Sequence, residues 1–247
     1  MSNLILRGMD VKKYALAMVM VVLLAAGYSQ KSEALPLCST GATYADLIAF
    51  NAGGGCTIDD KDFSNFGFLS TAQGGATALT PGDVAYLAIS GPPDWGFLFS
   101  FLLASTTGQL NDFTLDYDVT CNATAASFNC ITSGLVVMTG SGTFGGFAFV
   151  DDTLCLGGLP ICTGGNVVLH TQHPPAGLSV DSITFAGQHT VHVSKDVGTL
   201  CTSDPLCLAQ ISAVRNTVDQ QVPEPATLAL FGAGLAGLAF LRRRKAS

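Results

Sequence analysis

The chain has 247 residues and a formal net charge of −7, a total that hides how the charge is distributed. Between Leu35 and Val222 three cations (Lys61, Lys195 and Arg215) stand against 15 carboxylates, all of them aspartate, a balance of −12. So acidic a body repels phosphate backbones, which excludes nucleic acid as a partner, and its scarcity of Lys and Glu suits strands and turns better than helices.

The first element in chain order is a targeting segment. Arg7, Lys12 and Lys13 form a positive region, and Tyr14 to Gly27 is an uncharged, mostly apolar run. Ser32 and Ala34 supply the small residues that a signal peptidase needs. Residues 1–34 therefore read as a signal peptide cut after Ala34, with cleavage near Ala26 or Gly27 as the alternative. A retained N-terminal anchor is the competing reading, and the apolar run is short for a span.

All eight cysteines follow this segment: Cys38, Cys56, Cys121, Cys130, Cys155, Cys162, Cys201 and Cys207. An even count behind a signal peptide favours disulfides, because exported compartments are oxidising. Eight cysteines allow about 105 pairings. They fall into neighbouring pairs, so 38–56, 121–130, 155–162 and 201–207 are expected, each short loop contributing about 2–3 kcal/mol. Zinc is the rival reading, but no C-x-x-C knuckle occurs.

Strand signals then recur at 83–90, 95–104, 112–120, 133–140, 144–150, 166–172, 178–185 and 189–197, punctuated by Gly, Pro, Asn or Asp. The clearest alternation is 112–120. Phe113, Leu115, Tyr117 and Val119 are expected to face a core, and Thr114, Asp116, Asp118 and Thr120 water. Short strands without a strong helical stretch predict an all-β fold, an antiparallel β-sandwich or jelly-roll-like ectodomain over residues 35–212. The polar stretch 213–222, leading into prolines, reads as a linker.

Within this body the candidate chemistry is thin. His170, His173, His189 and His192 are spaced in threes, which on strands sends each pair to opposite faces and makes structural roles the better reading than a metal site. Asp59, Asp60 and Asp62, and Asp151 with Asp152, could offer loop carboxylates to calcium, although no EF-hand loop pattern is present. A carboxylate pair for glycoside hydrolysis has little support, since the body has no Glu and the chain a single Trp. No G-x-S-x-G occurs, and disulfide pairing would leave no thiol nucleophile. The expectation is a protein without cofactor, metal or catalytic residues.

The final stretch reads "VPEPATLALFGAGLAGLAFLRRRKAS", residues 222–247. Ala226 to Leu241 is an uncharged run that would span roughly 24 Å as a helix, short but usable for a transmembrane helix. Residues 242–245 are basic and stay cytoplasmic by the positive-inside rule. The "GAGLAG" within the run matches a dinucleotide-binding fingerprint by letter only, because prolines and no strand precede it. Its glycines suit close helix approach in a membrane.

Pro223-Glu224-Pro225, an apolar Gly/Ala-rich helix and a terminal arginine cluster in that order resemble the PEP-CTERM sorting signal. This signal belongs to exported proteins of Gram-negative bacteria that make extracellular polysaccharide. The resemblance implies a transient partner, an exosortase, which would cleave near the motif in the inner membrane and pass the body to the cell surface or matrix. Pro223, Glu224 and Pro225 would be the recognition motif, and Arg242, Arg243 and Arg244 the membrane-stop element. Exopolysaccharide or other matrix proteins would be the later partners. "GCTIDDKDFSNFGF" (55–68) and "VHVSKDV" (191–197), followed by "ISAVRNTVDQQVPEP", resemble the first segment, the final strand and the linker of ectodomains that precede such tails. That resemblance carries no assigned activity. The leading reading is a non-enzymatic surface or matrix protein, and the alternative is a calcium- or carbohydrate-binding adhesion module.

Overall fold

The computed structural model describes residues 35–38, 42–91, 93–122, 130–159, 162, 164–173 and 179–220. The expected signal peptide (1–34) and the expected membrane helix (226–241) of the sorting tail lie outside the described residues. Among those described, no helix is long and apolar enough to cross a membrane.

Two antiparallel sheets face each other. The first holds six strands in the order β1 (Cys56–Ile58), β2 (Lys61–Gln73), β5 (Leu110–Cys121), β10 (Thr190–Cys201), β7 (Gly146–Leu156) and β8 (Gly165–His173). The second holds five, in the order β3 (Ala85–Ile89), β4 (Asp94–Thr106), β11 (Leu208–Gln220), β6 (Ile131–Thr143) and β9 (Val180–Gln188). The domain is thus an all-β sandwich, as its alternating pattern requires. β5 shows the cause most plainly, alternating half-exposed and buried residues along its whole length. Phe113, Leu115, Tyr117 and Val119 point inward, where rings from both sheets interlock. Phe63 meets Phe97 at 4.9 Å, Phe101 meets Phe113 at 4.8 Å, and Phe97 meets Tyr117 at 5.7 Å, all edge to face.

One short helix, α1 (Tyr44–Phe50), closes the side of the sandwich between β2 and β3. Its start is set by Asp46, whose carboxylate accepts from the backbone N–H and hydroxyl of Thr43. Tyr44 and Leu47 are fully buried, and the Tyr44 hydroxyl donates to the Asp116 carbonyl at 2.8 Å. Asn51, just past the helix, mends a break in β2. The β2–β5 register slips between Ser64 and Gly67 around Asn65, whose φ is +56°. The Asn51 amide then satisfies both backbone groups of Phe66, donating to its carbonyl at 2.8 Å and accepting from its N–H at 2.9 Å.

Four disulfides close between neighbouring cysteines: Cys38–Cys56, Cys121–Cys130, Cys155–Cys162 and Cys201–Cys207. Two of them, Cys121–Cys130 and Cys201–Cys207, close connections that pass from one sheet to the other.

Three expectations need correction. Residues 213–220 are no linker. They belong to β11, a central strand paired with β4 on one side and β6 on the other. For the same reason 191–197 is not the final strand; it lies within β10. Asp151 and Asp152 do not follow a strand but sit inside β7, which runs to Leu156.

Candidate binding face

The outward side of the six-stranded sheet collects the acidic residues that alternation drives out of the core. Asp196 on β10 stands opposite Asp151 on β7 and Thr114 on β5, while Asp112 of β5 stands opposite Gly198 one step along. Burial, a shared hydrogen bond with Asp112 and the charges of Asp112 and Asp151 push the Asp196 carboxyl up to about 7. Asp151 is bound in turn to His170 of β8, whose other ring nitrogen lies 3.0 Å from Gln172 Oε1. Those hydrogen bonds hold the His170 imidazole above its usual value. Beside this row Gly198 leaves room for the Phe149 ring, since a Cβ there would land on it. Phe147 lies 5.8 Å from Phe149.

A second cluster lies two strand positions away. Asp118 accepts from Asn65 Nδ2 at 2.6 Å and is hydrogen-bonded to His192 Nδ1 at 2.7 Å, with Asp116 4.0 Å from the other ring nitrogen. The face therefore offers carboxylates and amides as hydrogen-bond acceptors, with two phenyl rings alongside. That chemistry suits a hydroxyl-rich or cationic ligand.

The suggested calcium residues are not brought together. Asp152 turns inward, fully buried, with its Oδ2 2.9 Å from Lys195 Nζ. Asp59 accepts from Trp95 Nε1 and Gly91 N, both at 3.1 Å. Asp60 binds Lys61 Nζ at 2.6 Å, and Asp62 accepts from Asn122 Nδ2 at 3.3 Å. Only Asp151 joins the acidic row. Among the described residues no group of three or more His, Cys, Asp or Glu side chains is placed to hold a metal ion. Asp112 and Asp196 were missed because their meeting depends on β5 and β10 being neighbours. Of the histidines, His170 and His192 bind carboxylates, His173 ends β8, and His189 lies in the turn before β10.

A separate cleft of about 390 Å³ opens where the stretch from Gly75 to Leu79 passes the outer part of β4. Leu102, Ala104 and Asn111 line it. Asn111 is buried and gives its Nδ2 to the Thr77 carbonyl, and its Oδ1 has no partner among the described residues.

These features define a disulfide-stapled, all-β sandwich with one acidic outer face. A family profile for the PEP-CTERM protein-sorting motif matches residues 221–245, so the chain carries that motif immediately after β11. No curated protein matches the chain. Among solved structures, TmCBM61 in complex with beta-1,4-galactotriose aligns over 62% of this chain and 88% of its own, at 8% identity and a TM-score of 0.30. A likeness that distant carries no argument about ligand or fold.

Proposed function

We propose that the chain is an exported cell-surface or extracellular-matrix protein with no catalytic activity of its own, processed by an exosortase in a Gram-negative bacterium that makes exopolysaccharide. The observation that carries this reading is the sorting motif at 221–245 placed directly behind a sandwich held by four disulfides. In this scheme residues 1–34 start export, 226–241 hold the protein in the inner membrane, and Arg242 to Arg244 stop transfer. The enzyme reads Pro223-Glu224-Pro225 and frees the body toward the surface. Short disulfide loops suit an oxidising exterior, where they persist and constrain the unfolded chain. The test is the intact mass of the mature protein before and after reduction. Loss of both terminal segments is expected, with eight hydrogens gained on reduction. Retention of residues 226–247 overturns the scheme.

The second reading is a calcium- or carbohydrate-binding adhesion module, and the Asp112–Asp196–Asp151 row beside Phe149 favours its carbohydrate form, since no group of three such side chains among the described residues is placed to hold a metal ion. Calorimetric titration of the folded body with calcium chloride and with host polysaccharide decides it. Absence of heat with both removes it.

A further inference from the structure

β11 is at once a central strand and the segment that leads into the sorting signal. It pairs with β4 and β6 almost to its end, and its last residue, Gln220, immediately precedes the matched motif. Only Gln221 and Val222 separate Gln220 from Pro223, so the motif begins at most about 10 Å of fully extended chain beyond the strand. A protease reading Pro223 to Pro225 must therefore work against the end of the folded sandwich, or else draw out a strand bonded on both sides.

The identity of that end follows from contacts around Gln220. Asp219 stands opposite Asp94, the first residue of β4. Trp95, the next residue, donates to Asp59, which places the β1–β2 turn at the same end. Asn122 adds the end of β5, donating its N–H to the Asp60 carbonyl at 2.8 Å and its side chain to Asp62. This end thus carries Asp59, Asp60, Asp62, Asp94 and Asp219. Its two cations are already held by these acids, Lys61 by Asp60 at 2.6 Å and Arg215 by Asp94 at 2.5 Å. A surface so acidic is repelled by anionic lipid headgroups and drawn to basic protein groups.

We infer that this acidic end is a docking surface for the exosortase, seated against basic groups around the mouth of its active site. The inference rests on the sorting reading above and adds the surface on which the enzyme must accept its substrate. The opposite end, with the Asn111 cleft, then points away from the membrane.

The experiment uses membranes holding the exosortase and the full chain, with cleavage followed by mass at low and high salt. The double variant Asp59→Asn/Asp62→Asn removes two charges but keeps the hydrogen-bond acceptors, and Asn tolerates the left-handed backbone of Asp59, whose φ is +53°. Cleavage is expected to slow severalfold at low salt, with the difference shrinking as salt rises. A Gly/Ser spacer of about ten residues after Gln220 is expected to restore the rate by removing the need to dock. Asp83→Asn/Asp204→Asn, remote from this end, is expected to match the wild type. If the first pair loses the native Trp95 emission, Asp62→Asn alone replaces it. Wild-type cleavage of the first pair, or equal slowing of the second, overturns the docking surface and leaves the sorting reading intact. A wild-type chain that is never cut overturns both.

Discussion

Lys195 Nζ lies 2.9 Å from Asp152 Oδ2 in the middle of the sandwich, and neither side chain reaches solvent. The two stand opposite each other on β10 and β7. Asn216 of β11 carries the contact to the other sheet, donating its amide to Asp152 and accepting from the Tyr117 hydroxyl. Burial pushes the Asp152 carboxyl up and the Lys195 amine down, and each charge opposes the shift of the other.

Removing one partner strands a buried charge. Lys195→Met is expected to destabilise the oxidised domain by about 3–5 kcal/mol in denaturant unfolding. Lys195→Met/Asp152→Leu is expected to recover much of that loss, because no unpaired charge is left and the Asn216 amide keeps the Leu135 carbonyl as an acceptor. Equal stability of the single and double variants would show that a stranded Asp152 charge is not the source of the loss.

The acidic row makes stability depend on pH. Asp196 holds its proton to about 7 when folded, whereas an unfolded aspartate releases it near 3.8. Between these values the folded state binds more protons, so the stabilisation is present below the lower value and is lost as pH rises through the upper one. Asp196→Asn is expected to flatten the fall in melting temperature between pH 4 and 8, with its gain over wild type largest at the alkaline end. A parallel pair of pH profiles would contradict the assignment. His170, also held up by its partners, contributes in the same direction.

Trp95 is the chain's single tryptophan, and Lys61 Nζ sits 4.6 Å from its ring centre while Asp59 accepts from its Nε1. Asp59→Ala removes that acceptor and, at a φ of +53°, the short polar side chain that lets aspartate tolerate the left-handed region. A loss of about 1–3 kcal/mol and a red-shifted tryptophan emission are expected. An unchanged spectrum would mean that the indole is held by packing alone.

Gly96 of β4 lies against β11, where an added Cβ would land on the Asn216 carbonyl and come within 2.9 Å of Thr217 Cα. Gly96→Ala is expected to cost about 1–3 kcal/mol by forcing the two central strands apart. Gly53→Ala, with nothing within 4 Å of its would-be Cβ, is expected to be near neutral. Melting temperatures of the two variants, which should differ by about 2–4 °C per kcal/mol, provide the check.

Some strands hid from the sequence for physical reasons. β11 reads as polar because Asn216 points into the core, where Tyr117, Asp152 and the Leu135 carbonyl satisfy its amide. On its other side Arg215 and Thr217 both bind Asp94 of the neighbouring strand. β2 was hidden by the slip around Asn65, which breaks the two-residue period that marks a strand. The acidic face was half visible: the outward Asp116 and Asp118 follow from local alternation, but the meeting of Asp112 with Asp196 needs two strands far apart in sequence to become neighbours.

By itself the sequence determined the alternation of β5, the closure of neighbouring cysteines and the sorting motif, because each depends on residues close together along the chain. Only the tertiary structure decided that β11 is a central strand, that Lys195 neutralises Asp152, and that the motif leaves the sandwich at its acidic end. Those outcomes depend on which strands lie side by side, and strand order is a property of the packed sheets rather than of any local pattern.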